Sequence, residues 1–200
     1  HLVDTSAGVM GASAVVATTV PQAVGYALAM RMQKKDRLVV SFFGDGAVEE
    51  GAFHESANFA SLRKIPVIFI CENNLYAVHT PLRNRQPPVP IYKRMEGYGI
   101  PAERIENNDV AKIHERVKAV ADEMRRARAG PWFFECMTYR WKEHVGPNED
   151  FQAGYRPRTE AEPWFQSDTV KLIGEKLDPP TRKQIENEVE SDIREAFDFA

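Results

Sequence analysis

The sequence predicts an α/β protein in which a mainly parallel sheet carries helices on both faces. Three apolar runs, residues 38–43, 67–71 and 132–139, are predicted to be strands. Segments with helical periodicity lie between them, and strands that alternate with helices are typical of a parallel sheet. The first two runs are continuous rather than alternating, which indicates strands that are covered on both faces.

Three helices are predicted from apolar spacing and from the residues at their starts. Pro21 suits the first turn of a helix that runs to about residue 33. Residues 51–62 form a short helix behind the first strand. Asp109 is placed to cap a helix whose apolar residues recur from Val110 to Met124. The second and third helices connect the predicted strands, as parallel pairing requires.

Two segments lack apolar periodicity and are predicted to be loops. Residues 80–90 are polar and proline-rich, so we expect Arg83 and Arg85 to be solvated, and residues 143–160 form a long loop. Beyond them, apolar residues recur every fourth position from Ile185 to Phe197 and predict a terminal helix whose apolar stripe is mainly core. We therefore predict an α/β domain over residues 1–160 and a C-terminal helical segment over residues 161–200.

The composition argues against several classes of function. The 200 residues are 43% hydrophobic and 28% charged, with a net charge of −3, which favours a globular domain and disfavours a nucleic-acid-binding surface. The longest apolar stretch, residues 9–30, contains Pro21 and several polar residues, which disfavours a membrane span. Cys71 and Cys136 lie in apolar runs, and we expect two buried, reduced thiols in a reducing compartment.

The first residues of the chain bear on its location. The sequence begins at His1, and no basic segment followed by an apolar core opens it, so we predict no signal peptide. We expect an amino-terminal portion of the protein to be absent from this chain. A cytoplasmic location is expected, and an organelle matrix stays open because that portion is absent.

Two predicted strand ends carry the residues that suggest chemistry. Gly44-Asp45-Gly46 follows the first strand and Glu72-Asn73-Asn74 follows the second. A right-handed crossover would place these ends side by side. The glycines permit a positive φ and the close approach of a ligand. Carboxylate, amide and carbonyl oxygens suit Mg²⁺, and the start of the next helix favours an anion. Either motif alone would be an ordinary turn, and together they predict a metal and phosphate site.

GDG with NN downstream resembles the pattern of thiamine-diphosphate enzymes. The stretch GDGAVEEGAFHESANFASLRKIPVIFICENNLYAVHTP is similar to the alpha subunit of the decarboxylating first component of 2-oxo acid dehydrogenase complexes, a group that includes the pyruvate, branched-chain and acetoin enzymes. VPQAVGYALA before this stretch and FFECMTYRWKEH after it extend the resemblance over most of the chain. The resemblance implies a thiamine-diphosphate-binding fold.

The resemblance also implies a set of metal and phosphate ligands. Asp45 and Asn74 would bind Mg²⁺ through their side chains, and Tyr76 through its backbone carbonyl. These three residues would also border the thiamine diphosphate. Gly44, Gly46 and Ala47 would line the diphosphate, with backbone N–H groups of Gly46 and Ala47 donating to it.

Further residues are assigned by the same resemblance. Ala14 and Val16 match positions where the family backbone touches the aminopyrimidine ring. Tyr139-Arg140 followed by His144 matches the family pattern Tyr-Arg-x-x-x-His. His144 would lie over the cofactor and act in catalysis, by binding phosphate oxygens or by assisting proton movement or acyl transfer. Arg140 would contact phosphate.

The resemblance implies partners as well. A separate beta subunit would supply the glutamate that activates the aminopyrimidine, in an α2β2 assembly that takes a small 2-oxo acid and passes an acyl group to a lipoyl acyltransferase. Lys142 and Val145 depart from the family, which often has a histidine and a serine there; in the mammalian enzymes that serine is phosphorylated, so we do not expect the same kinase control. Two alternatives stay open: a transketolase-like half, and a non-catalytic α/β domain that binds a phosphorylated ligand.

Overall fold

The computed structural model describes residues 1–200 and confirms the parallel α/β fold. The chain divides into two compact units, residues 1–161 and 162–200. In chain order the helices and strands are α1 Thr19–Met32, β1 Val39–Gly44, α2 Gly51–Leu62, β2 Val67–Asn73, β3 Tyr76–Ala77, β4 Thr80–Pro81, α3 Ile91–Arg94, β5 Ala102–Ile105, α4 Val110–Ala127, β6 Trp132–Met137, α5 Arg158–Gln166, α6 Thr169–Gly174 and α7 Pro179–Phe199, with 3-10 helices at Asp45–Glu49, Leu82–Asn84, Met95–Tyr98 and Phe151–Ala153.

The main sheet has four parallel strands in the order β1-β2-β6-β5. The strands β1 and β2 are neighbours, as the crossover argument predicts, and Gly44 at the end of β1 is in register with Glu72. Asn73 is in register with Met137 of β6. The polar residues that follow β1 and β2 therefore lie at the same end of the sheet, beyond the carboxyl ends of its strands.

Helices cover both faces of the sheet, as predicted. On one face four phenylalanine rings, Phe43, Phe53, Phe69 and Phe133, pack with centroids 5.4 to 6.3 Å apart. On the other face Ile70 and other strand residues pack against α4. Because side chains alternate along a strand, the continuous apolar run of β2 supplies both layers. Both cysteines are buried and free.

Strand β1 corrects one sequence-based expectation. It lies at the edge of the sheet, and the side chain of Phe42 is 61% exposed, so β1 is not covered on both faces. Its apolar run is continuous, but only alternate residues such as Ser41 and Phe43 are buried. Strand β5 and the short helix α3 were not predicted, because their sequences carry little apolar periodicity.

The terminal helix α7 forms as predicted, but its apolar stripe is not core. Asp178 caps the helix by accepting a hydrogen bond from the N–H of Thr181 at 3.0 Å. The stripe residues Ile185, Val189 and Ile193 are 45 to 51% exposed, and Phe197 is 76% exposed. Periodicity shows that a helix has an apolar face, but it does not identify what covers that face. None of the helices combines the length and the apolar character that a bilayer crossing needs.

Candidate functional site

The turn that follows β1 lies against the hairpin that follows β2. A Cβ atom placed on Gly46 would stand 3.0 Å from the Cβ of Ala77, which is tighter than an ordinary contact, so a side chain at this position would require Ala77 of β3 to shift by a few tenths of an ångström. Neither Gly44 nor Gly46 has a positive φ. The expectation that these glycines serve a left-handed backbone is wrong. Gly46 lies at this close approach, and nothing crowds residue 44.

Asp45 opens the 3-10 helix behind β1 and is 1% exposed. Its Oδ2 forms an ion pair with Arg85, and its Oδ1 is buried without a hydrogen-bond partner. Burial raises the pKa of Asp45 above its ordinary value, against the hydrogen bond and charge of Arg85, which lower it. A buried carboxylate oxygen with no donor is unfavourable in a folded chain, so this atom marks a place where a cation would be stabilising.

The prediction that Arg85 is solvated is wrong, because its side chain is only 9% exposed. It pairs with Asp45 and Glu49, and its Nε donates to the carbonyl of Thr80 at 3.0 Å. Gln86 contacts the same two residues, since its Nε2 donates to Glu49 at 2.5 Å and to the Asp45 carbonyl at 3.2 Å. Glu49, Arg85 and Gln86 were not predicted as site residues.

A tight hairpin explains why the predicted loop reaches Asp45. Strands β3 and β4 are antiparallel, with Ala77 in register with Thr80. Val78 in the turn has a φ of 53°, and the N–H of Leu82 donates to the carbonyl of Leu75 at 2.7 Å. The chain therefore reverses at residues 78–79. This reversal sends the residues after Leu82 back across the end of β1.

The two neighbouring asparagines have different roles. Asn73 is buried, its Nδ2 donates to Glu135 at 2.7 Å, and its Oδ1 accepts from the N–H of Leu75 at 2.9 Å. Asn74 is half-buried, and its Oδ1 accepts only from the N–H of Tyr76 at 3.0 Å. An amide oxygen has two lone pairs, so that of Asn74 keeps acceptor capacity for a metal ion.

Tyr76 forms hydrogen bonds through both its backbone N–H and its side-chain hydroxyl. Its N–H donates to Oδ1 of Asn74 at 3.0 Å, and its hydroxyl donates to Glu160 at 2.9 Å. Burial, followed by the hydrogen bond to Glu160, raises the pKa of Tyr76 to about 12. The phenol is therefore neutral at physiological pH, and this anchoring fixes the backbone that carries the predicted carbonyl ligand.

The segment after β6 brings His144 to the end of the sheet where the loop after β2 lies. Arg140 donates to the carbonyl of Val78 at 3.1 Å and to the Tyr155 hydroxyl at 2.6 Å. His144 is exposed, and its Nδ1 lies 3.4 Å from Nη1 of Arg140. The guanidinium of Arg140 is largely engaged by protein groups, and its contact with phosphate stays a prediction.

A second arginine, Arg156, orders this segment from inside. Its side chain is 0% exposed and donates to Asp150 at 2.8 and 2.5 Å and to the carbonyl of Arg140 at 2.6 Å. The guanidinium carbon lies 5.0 Å from the ring centroid of Tyr139. Although burial raises it, the hydrogen bonds from Tyr155 and Arg156 hold the pKa of Asp150 below its ordinary value. The predicted loop is therefore a fixed structure, held by a network that its composition did not indicate.

The structure brings together part of the predicted site. Asp45, Gly46 and Ala47 lie beside the hairpin that contains Tyr76. Ala14 and Val16 lie in the exposed segment that precedes α1, with Val16 57% exposed, and their contact with a cofactor ring stays a prediction. No group of three or more His, Cys, Asp or Glu residues is arranged to hold a metal ion.

Comparisons with known proteins identify relatives of this chain. The chain is 41% identical over 158 residues to the 2-oxoisovalerate dehydrogenase subunit alpha of Bacillus subtilis, which covers 79% of this chain and 47% of that protein. It is 38% identical to the mitochondrial 2-oxoisovalerate dehydrogenase subunit alpha of Mus musculus, over 78% of this chain and 35% of that protein. The chain thus spans less than half the length of these relatives.

Structure and family comparisons extend the match. Transketolase from Campylobacter jejuni shares the fold with a TM-score of 0.55 and 21% identity, over 62% of this chain and 20% of that chain. The family described as "Dehydrogenase E1 component" matches residues 1–200. Because that match covers the whole chain, the chain belongs to the dehydrogenase E1 component family.

Proposed function

We propose that this chain is part of the alpha subunit of a thiamine-diphosphate- and Mg²⁺-dependent 2-oxo acid dehydrogenase. The reaction is the oxidative decarboxylation of a 2-oxo acid, with transfer of the acyl group to a lipoyl group. The relatives are 2-oxoisovalerate dehydrogenase subunits, which favours a branched-chain 2-oxo acid as substrate. Cytoplasm, or an organelle matrix, is the proposed location.

The observation that carries the proposal is the unpartnered Oδ1 of Asp45. It is buried at the end of β1, next to a hairpin whose Asn74 retains acceptor capacity. The proposed ligands, Asp45, Asn74 and the carbonyl of Tyr76, are all oxygen donors, which suits Mg²⁺. The residues present therefore fit a divalent ion.

The chain's residues also suit a diphosphate. By the resemblance, the backbone N–H groups of Gly46 and Ala47 would donate to the diphosphate, and both residues lie at the start of the 3-10 helix Asp45–Glu49. Gly46 has no side chain at this point, where a Cβ atom would be crowded by Ala77. Bound thiamine diphosphate would supply the carbon nucleophile and the electron sink for decarboxylation.

His144 is the proposed catalytic residue of this chain. It is exposed and stands beside Arg140, whose contacts with Val78 and Tyr155 hold the segment in place. An exposed imidazole next to a fixed cation can donate a hydrogen bond to an anionic oxygen, and it can assist proton movement during the reaction. Arg140 and Arg156 position this segment.

The proposed partners are a beta subunit, in an α2β2 assembly, and a lipoyl acyltransferase component. The test is to co-express the chain, within its full-length protein, with a beta subunit. The measurement is reduction of an artificial electron acceptor that depends on a 2-oxo acid, thiamine diphosphate and Mg²⁺. We expect turnover by the pair, faster with branched-chain substrates than with pyruvate, and little turnover by the alpha protein alone. Full turnover without the partner would contradict the proposal.

The same preparation separates the rival functions. A transketolase-like protein would transfer two-carbon units between sugar phosphates and would not oxidise 2-oxo acids. A non-catalytic phosphate-binding domain would bind the cofactor and turn over neither class of substrate. The likeness to transketolase supports the fold alone and does not favour the first of these.

A further inference from the structure

A second concave site lies at the end of the sheet opposite Asp45. The cavity has a volume of about 520 Å³ and is floored by Leu38, Pro66 and Met124. Leu38 and Pro66 directly precede β1 and β2, and Met124 lies in the last turns of α4. The amino ends of the strands and the carboxyl ends of helices therefore form this cleft, far along the sheet from the candidate cofactor site.

The walls of this cleft are strongly basic. Seven of its eleven lining residues are arginine or lysine, and Asp36 is the single acid. The whole chain has a net charge of −3, so the positive charge of this cleft is opposite in sign to the net charge of the chain. Such a concentration produces a local positive potential that attracts anions.

Most of these cations have no internal partner. Arg31 donates to the carbonyls of Arg63 and Lys64, and Arg125 pairs with Asp122 at 3.4 Å. The other five form no ion pair, and they are Lys34, Lys35, Arg37, Arg126 and Arg128. A structural role in charge pairing therefore accounts for few of them.

Two of the cations stand where the backbone disfavours them. Lys34 after α1 has a φ of 57°, and Arg128 at the end of α4 has a φ of 50°. Helices that end in this left-handed conformation usually use glycine there, because the conformation is strained for other residues. Helix dipoles favour cations near these ends, but they do not require them at the left-handed position itself.

We propose that this cleft is a second binding site, which takes a small oligophosphate anion such as a nucleoside di- or triphosphate. Five unpaired cations match a run of phosphates, since each phosphate accepts several charge-assisted hydrogen bonds. The apolar floor matches a flat ring attached to the phosphates, and the volume lies within the range of small-ligand pockets. An acidic polypeptide would need an extended surface, whereas this site is concave.

The test measures ATP and inorganic tripolyphosphate binding to the whole chain by calorimetry, in EDTA and at low salt. We expect one site with an affinity that falls as salt is raised. The double variant Arg37→Glu with Arg126→Glu changes two exposed, unpaired cations and is expected to weaken binding roughly tenfold or more. Asp45→Asn is expected to leave this binding unchanged, which distinguishes it from binding at the candidate cofactor site.

A pair of glycine variants supplies a matched control. Arg128→Gly removes a cation of the cleft and relieves its left-handed backbone, so we expect a higher melting temperature and weaker binding. Lys64→Gly relieves the same kind of strain at a φ of 51°, but Lys64 does not line the cleft, so we expect higher stability with binding intact.

Several outcomes would overturn the proposal. These are no binding of either probe, binding that survives the double charge reversal, and loss of binding in Asp45→Asn. Binding of polyglutamate with no binding of ATP or tripolyphosphate would likewise replace the small anion with an acidic polypeptide. A lower melting temperature of Arg128→Gly with unchanged binding would assign that cation to the helix end alone.

Discussion

The chain contains two buried arginine–aspartate pairs that differ in how fully the carboxylate is satisfied. Arg156 and Arg140 both reach Asp150, whose second oxygen also accepts from the Tyr155 hydroxyl. Asp45 has one arginine on one oxygen, and its other oxygen has no partner. Both carboxylates are almost fully buried, so burial alone does not separate the two pairs.

The pKa values of the two aspartates move in opposite directions. For Asp150, hydrogen bonds outweigh burial and the pKa falls, whereas for Asp45 burial outweighs Arg85 and the pKa rises. A pair whose carboxylate is saturated stabilises the fold. A pair whose carboxylate is left under-satisfied marks a site where a further cation is favourable. The comparison thus separates an ion pair whose carboxylate is fully satisfied from one whose carboxylate is not, without reference to any relative.

Breaking the saturated pair should have the largest effect on stability. Asp150→Asn leaves the buried guanidinium of Arg156 without its counter-charge, and the expected loss is about 3 kcal/mol. In a domain of this size that corresponds to a fall of roughly 10 °C in melting temperature. Glu149→Gln is the matched control, because its pair with Arg158 is exposed at 45% and 59%, and less than about 1 kcal/mol is expected. Equal losses from both variants would remove the distinction.

Changing the under-satisfied carboxylate should affect binding rather than folding. Asp45→Asn keeps the shape of the side chain, removes the charge that burial disfavours and leaves Arg85 paired with Glu49, so the melting temperature should not fall. The Mg²⁺-dependent affinity for thiamine diphosphate should fall by more than the ten- to hundredfold that loss of an outer-shell partner costs. Calorimetry on the alpha–beta complex measures this, and Glu50→Gln, an exposed neighbour, is the control. Intact cofactor affinity in Asp45→Asn would refute the proposed metal ligand.

The stability of the fold should depend on pH differently for the two aspartates, with the change for one below and for the other above the ordinary aspartate pKa of 3.8. For Asp150 the folded pKa is lowered, so its stabilisation is complete above 3.8 and is lost as pH falls through the folded value. For Asp45 the folded pKa is raised, so its penalty is absent below 3.8 and develops as pH rises to the folded value.

Melting temperatures of both asparagine variants and of the unaltered chain, measured from about pH 3 to pH 7, give the two windows. The advantage of Asp45→Asn should grow above 3.8 and then level off. The deficit of Asp150→Asn should shrink only below 3.8. Two parallel curves would show that the carboxylates do not differ in the way described.

The sequence predicts the fold where local pattern and topology agree. Long apolar runs mark β1, β2 and β6, and the crossover rule makes β1 and β2 neighbours. Prediction from the sequence fails for β5, in which charged residues separate Ala102 from Ile105. It also fails for the exposed side of β1. Whether a strand is central or at an edge depends on pairings across the whole chain, which periodicity does not encode.

For the candidate site, the sequence places Asp45 and Asn74 at the ends of neighbouring strands, where parallel sheets collect ligands, and their role as metal ligands stays a prediction. Arg85 is missed because its partner lies 40 residues earlier and its own segment has the composition of a solvated loop. The reversal at Val78 returns that segment to Asp45, and composition gives no sign of such a reversal. Asp150 and Arg156 lie only six positions apart and are missed because their segment also has the composition of a solvated loop.

The smallest expected effect concerns Arg85 itself, and it tests how the under-satisfied pair works. Arg85 and a divalent ion would use the same carboxylate, so the arginine should compete with the metal. Arg85→Gln removes the competitor, and Mg²⁺ affinity should rise about threefold, which corresponds to ~0.7 kcal/mol. Arg83→Gln is the matched control, since Arg83 is exposed on the same loop and forms no ion pair with Asp45. If Arg85→Gln instead weakens cofactor binding as strongly as Asp45→Asn, the guanidinium holds the phosphate rather than competing for the carboxylate. Asp45 would then need Arg85 and the metal ion together.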